Sequence, residues 1–115
     1  MAFYPRLQTI KKLEIVIETI KLDQVIQIIE EAGASGYTIL PSVTGRGTRG
    51  QRLGGGLTDV FKNAMVITLV DEAIATKILQ KVERLIQNFA GMAVVTDALA
   101  LWPDYSQETP KPPGT

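Results

Sequence analysis

Two hydrophobic periods alternate along this chain, and their order constrains the fold more than any single motif. Residues 11–19, KKLEIVIET, place Leu13, Ile15 and Ile17 on one side and Lys12, Glu14, Val16 and Glu18 on the other. A period of two with β-branched residues predicts a strand with one apolar face. Residues 23–34, DQVIQIIEEAGA, switch to a helical stripe of Val25, Ile26, Ile28, Ile29 and Ala32. Asp23 is the expected N-cap, because its carboxylate can accept from the free N–H groups of the first turn. Gly33 is the expected residue just past the helix, where a left-handed backbone costs least in glycine.

The same two periods then recur. Residues 36–44, GYTILPSVT, read as a second strand, and Pro41 marks it as an edge strand or an irregular one, because proline has no N–H for the ladder. Residues 63–70, NAMVITLV, are apolar on both faces and predict a central strand covered on both sides. Residues 71–89 predict a long helix with Asp71 as N-cap and an apolar stripe of Ile74, Ile78, Val82, Leu85, Ile86 and Phe89. Ala90 and Gly91 end it, and residues 92–101, MAVVTDALAL, form the last strand. The order is β-α-β-loop-β-α-β, an α+β chain of the ferredoxin-like βαββαβ kind. Its sheet is four-stranded and antiparallel, with both helices on one face. The apolar second face of residues 63–70 implies that another copy covers the sheet, so a homo-oligomer with inward-facing sheets is expected.

Composition removes whole classes of chemistry. The 115 residues include no His and no Cys. Disulfides, thiol nucleophiles, Cys/His zinc sites and the Ser-His-Asp triad are therefore excluded. Lys plus Arg equals Asp plus Glu at 12 each, which argues against a general nucleic-acid binder. The longest apolar run, residues 64–70, falls far short of the roughly 18 residues of a membrane span. Residues 1–10 contain no apolar stretch of signal-peptide length, so a cytoplasmic protein is expected.

The cationic chemistry gathers in one place. Residues 44–60, TGRGTRGQRLGGGLTDV, hold six glycines and three arginines without an apolar period. Structureless segments above about 12–15 residues are uncommon in compact domains and are often functional. Glycines let backbone N–H groups approach a phosphate, and Arg46, Arg49 and Arg52 supply planar donor forks. The composition suits a mobile loop that orders on an anion. Residues 45–50 match G-x-G-x-x-G literally, but Gly54, Gly55 and Gly56 follow where a Rossmann site needs a helix. Walker A chemistry lacks its Gly-Lys-Ser/Thr.

Carboxylates offer little by comparison. Glu14 and Glu18 share a strand face and are expected to be inter-subunit or solvent-facing charges. Asp97 is expected to be paired at an interface. Thr38 and Thr68 read as strand formers. No convergent carboxylate pair stands on adjacent elements, so an enzyme is not expected. Residues 1–102 form the expected domain, with the loop at 44–60. Residues 103–115, PDYSQETPKPPGT, read as a proline-rich disordered tail.

Residues 11–38 resemble the opening of the PII signalling proteins. They carry the Lys-Lys start, Lys-Leu-Asp-x-Val at residues 21–25 and Gly-x-Thr at Gly36–Thr38. The resemblance extends to about residue 101. It implies a trimer that binds adenine nucleotides in clefts between subunits and docks on a target protein through the long loop, called the T-loop. A regulator rather than an enzyme is therefore implied. Residues 44–60 lack the tyrosine that typical members modify. The phosphate-binding basic residues of typical members are also missing around residues 63–65 and 88–92, as are the arginines near the C-terminus.

The chain looks more like the divergent PII-like group linked to inorganic-carbon uptake. It shares a Gly-x-Gly-Ser/Thr-Arg-x-x-Arg loop, here residues 45–52, and a short Phe-Ala-Gly turn, here Phe89, Ala90 and Gly91. That resemblance implies a nucleotide site drawn from Gly36, Tyr37, Thr38, Gly45, Arg46, Gly47, Arg49, Arg52, Phe89, Ala90 and Gly91. The ligand would be AMP, ADP, ATP or cyclic AMP, with bicarbonate as a further candidate. The partner would be a bicarbonate or other membrane transporter, and no metal is implied. The C-terminal cysteine pair that some of the group use as a redox switch is absent. A nucleotide-independent interaction module of the same fold and, on weaker grounds, a small enzyme are the alternatives.

Overall fold

The computed structural model describes residues 3–45 and 62–102. Its elements are β1 (Gln8–Glu18), α1 (Leu22–Ala32), β2 (Thr38–Val43), β3 (Asn63–Val70), α2 (Glu72–Ile86) and β4 (Gly91–Ala100), with a 3-10 turn at Thr19–Lys21 before α1. The strands form one sheet in the order β2-β3-β1-β4. Every neighbouring pair is antiparallel. The expected α+β arrangement is therefore present, with β1 and β3 in the centre and β2 and β4 at the edges.

Strand phase decides what is buried. Leu13, Ile15 and Ile17 of β1 lie beside Ala64, Val66, Thr68 and Val70 of β3, and all are buried. Val25 and Ile29 of α1 and Ala75, Ile78 and Val82 of α2 close over them. Burying each of the Leu, Ile and Val side chains in this layer contributes about 1.5–3 kcal/mol. The helices run antiparallel. Glu31 at the end of α1 meets Lys81 at 3.9 Å, while Lys21 before its start meets Phe89 beyond the end of α2.

The opposite face of the sheet is open in the single chain. Met65, Ile67 and Leu69 are half-buried there, with Leu40 of β2 exposed beside Met65, and Val16 and Glu14 of β1 stand between them and Met92 and Val94 of β4, which are exposed. Met92 is 56% exposed, and with Val16, Met65 and Leu40 it forms an apolar row across the sheet rather than an isolated side chain.

Local signals predict several element ends correctly and two wrongly. Gly33 has φ 103°, and the N–H groups of Gly33 and Ala34 donate to the carbonyls of Glu30 and Ile29, which closes α1 as a Schellman motif. Asp71 caps α2 through its carboxylate, which accepts from the Ile74 N–H at 2.9 Å. β2 is an edge strand with a register shift between Leu40 and Val43, and Ser42 beside Pro41 has φ 59°. Asp23 is not an N-cap. The 3-10 turn runs into α1, so Lys21 takes the cap position and Asp23 falls in the first turn, where its charge complements the helix dipole. α2 ends at Ile86, and Phe89 is not part of its stripe. The chain must turn there to bring Gly91 opposite Ile17.

Candidate functional site

Strand register locates the described candidate residues. Thr38 pairs with Ile67, so Gly36 and Tyr37 precede the start of β2 at one edge of the sheet. The buried Thr68 hydroxyl donates to the Gly36 carbonyl at 2.7 Å and fixes that approach. The Tyr37 hydroxyl donates to Glu30 Oε2 at 3.2 Å. This bond stabilises the protonated phenol and raises its pKa above the ordinary value. Gly45 is exposed two residues past β2. Arg46, Gly47, Arg49 and Arg52 lie outside the described residues, as does the tail at 103–115.

The second group, Phe89, Ala90 and Gly91, sits at the opposite edge. Gly91 opens β4 opposite Ile17, and Ile17 also pairs with Ala64 next to the start of β3. This turn therefore occupies the same end of the sheet as Val43 and Lys62, the two roots of the long segment. Across the sheet it is three strand spacings from β2, about 14 Å at the usual interstrand distance. Within one chain the structure does not unite Gly36–Thr38 with the Phe89–Gly91 turn.

Each residue of the turn is held by the segment between Val16 and Lys21. A Cβ on Gly91 would stand 2.7 Å from the Val16 carbonyl oxygen and 2.8 Å from Ile17 Cδ1, so only glycine fits without movement. The Ala90 N–H donates to Glu18 Oε2 at 2.8 Å. The Lys21 ammonium lies 4.2 Å from the centroid of the Phe89 ring, within cation–π range. Glu18 is only 6% exposed, which corrects the expectation of a solvent-facing or inter-subunit charge. It stands where the β1–β4 ladder stops, and its carboxyl replaces the missing backbone partner of Ala90. Its sequence phase equals that of Glu14, so the period of two carries no sign of this role. Glu14 itself is half-buried on the open face, 3.8 Å from Lys12. Asp97 pairs with Lys11 at 2.5 Å. That bond and its charge raise the Lys11 pKa.

An open groove of about 430 Å³ borders Phe89 and Lys21, between α1 and the end of α2. Lys21, Gln24, Ile28, Arg84, Leu85 and Phe89 contribute to its lining. Among the described residues no cluster of three or more carboxylates could hold a metal ion. No helix among them is long and apolar enough to cross a membrane.

With this geometry established, the comparisons place the chain. The family described as nitrogen regulatory protein P-II matches residues 10–102. The chain belongs to that family, a family of signalling regulators. Among curated protein sequences there is no significant match. Solved structures are similar across most of the chain. CPII from Thiomonas intermedia K12, bound to ADP, AMP and acetate, is 25% identical over 84% of this chain and 93% of that chain, with a TM-score of 0.72. The same protein bound to ADP and bicarbonate is 28% identical over 82% and 90%, with a TM-score of 0.69. A PII-like signalling protein from Thermus thermophilus is 29% identical over 83% and 92%, with a TM-score of 0.66.

Proposed function

We propose that the chain is a trimeric PII-like regulator that binds an adenine nucleotide between subunits and controls a target protein through residues 44–60. The observation that carries this reading is the division of the candidate residues between opposite sheet edges. A family member that needs Gly36–Thr38 and the Phe89–Gly91 turn in one site must take them from two copies. The exposed apolar sheet face supplies the surface on which the copies would meet. The ADP and AMP in the similar CPII structures support the ligand class.

In this arrangement Gly36, Tyr37 and Thr38 of one copy and Phe89 to Gly91 of the next line the adenine and ribose. Gly45, Gly47, Arg46, Arg49 and Arg52 meet the phosphates. Each charge-assisted hydrogen bond contributes roughly 1.5–3 kcal/mol, against about 1–2 kcal/mol for each backbone residue ordered. Nucleotides of different phosphate number then change the 44–60 surface only through their differential affinity for its states. Bicarbonate, present with ADP in CPII, is a candidate co-ligand. The target is a partner protein, with a cytoplasmic face of an inorganic-carbon or other anion transporter as the favoured class. The role is regulatory and not catalytic.

Calorimetric titration of AMP, ADP, ATP and cyclic AMP, with and without bicarbonate, tests the reading, alongside sedimentation to count subunits. Saturable binding to a trimer is expected. No heat from any of the four at millimolar concentration would overturn it, and a nucleotide-independent interaction module would take its place.

A further inference from the structure

We infer that Glu18 is a positioning residue that joins the Phe89–Gly91 turn to the root of the 44–60 segment. Two adjacent residues of β1 and its 3-10 extension make the link. Glu18 accepts the Ala90 N–H at 2.8 Å, and the next residue, Thr19, donates its own N–H to the Lys62 carbonyl at 2.8 Å. Lys62 is the first described residue after the long segment and immediately precedes β3. The turn and the root are thus separated by one peptide unit of a single strand end.

Three features make this link stiff. Glu18 is buried, so water does not compete freely for its carboxyl. Gly91 is paired with Ile17 in the β1–β4 ladder, which holds the turn in register with β1. The Lys21 ammonium lies over the Phe89 ring. A displacement of the turn therefore moves Glu18, and the peptide between Glu18 and Thr19 carries that movement to Lys62. The Ala90 N–H is already engaged by Glu18 and is not free to bind a phosphate. Ala90 is consequently a transmitting residue in this site, and its contribution to a ligand comes from its position in the turn.

The response to nucleotide rests on the reading above, whereas the link itself does not. Amide hydrogen exchange on the full chain, resolved by residue, tests both. Without ligand, Glu18→Ala should speed exchange at Ala90 and Thr19 by about tenfold, the effect of losing one partly buried hydrogen bond. The Ala75 amide, bonded to the Asp71 carbonyl at the far end of the sheet layer, should be unaffected. Glu18→Gln keeps a carbonyl acceptor and should restore much of the protection at both sites. With ADP as the probe, exchange at Ala90 and Thr19 should slow together in the unaltered chain, and the Thr19 response should be lost in Glu18→Ala.

Unchanged Thr19 exchange in ligand-free Glu18→Ala would overturn the link. So would a Thr19 response to ADP that survives the substitution. Should Glu18→Ala fail to fold, Glu18→Gln decides: a partial loss of protection shared by both amides supports the link, and loss at Ala90 with none at Thr19 overturns it. Absence of any ADP binding would defeat the nucleotide reading alone, because the ligand-free arm still stands.

Discussion

Gly91 approaches Val16 so closely that a Cβ would stand 2.7 Å from the Val16 carbonyl oxygen. The same atom would stand 2.8 Å from Ile17 Cδ1 and 3.1 Å from Ile86 Cγ2. The obstruction includes main chain, which cannot swing aside as a flexible side chain can. β1, β4 and the end of α2 thus meet at a point that admits no side chain.

Gly91→Ala should therefore destabilise the protein by about 1–3 kcal/mol, as overpacking of a close contact does. The reason is space and not a left-handed backbone. Urea denaturation measures the loss. A midpoint equal to that of the unaltered chain would show that β4 can shift outward at no cost.

Thr68→Val replaces a hydroxyl by a methyl of similar shape and removes the 2.7 Å bond to the Gly36 carbonyl. Gly36 is exposed, so water can take the place of the hydroxyl. A loss of about 0.5–1.5 kcal/mol is expected, the net value of one hydrogen bond. Thermal unfolding would report it as a modest fall in Tm. A loss several times larger would mean that Thr68 holds more than the approach to β2.

The two helix starts should respond differently to loss of their acids. Asp71→Ala removes a side-chain cap and should cost about 0.5–2 kcal/mol, with Asp71→Asn largely retaining it. Asp23→Ala removes only a first-turn charge, a contribution of about 0.3–1 kcal/mol that salt should screen. Denaturation at low and high salt separates the two. Equal, salt-independent losses would contradict the assignment of Lys21 as the cap.

Tyr37 links stability to alkaline pH. Its hydrogen bond to Glu30 favours the protonated phenol, so the pKa in the folded chain is raised. The bond's contribution is fully present below the unfolded value of about 10 and is lost as pH rises through the higher folded value. The difference in phenolate absorbance between the unaltered chain and Tyr37→Phe should titrate above the ordinary tyrosine range. A difference midpoint at or below that range would mean that the bond to Glu30 is not formed in solution.

Much of the scaffold is legible because helix and strand periods are local properties. Residues 63–70 form β3 at the bounds that their apolar run predicts, and Gly33 takes the left-handed backbone expected of it. Pro41 announces the irregularity that appears as the Leu40–Val43 register shift. Phe89 is misleading because its spacing continues the α2 stripe for one turn more than the helix itself continues. Nothing in the local pattern shows that the chain has to leave the helix early to place Gly91 beside β1.

The sequence by itself determined the order of elements, the faces that form the core and the absence of His and Cys chemistry. Each of these depends on residue type and on spacing within a few turns or strands. Only the tertiary structure decided the sheet order, and with it which ends meet. Glu18 and Ala90 are 72 positions apart, and their bond exists because β4 pairs with β1 and stops one residue short of Glu18. Thr19 reaches Lys62 for the corresponding reason on the β3 side. A carboxyl that shares the phase of an outward-facing glutamate becomes a buried support when a distant turn closes over it.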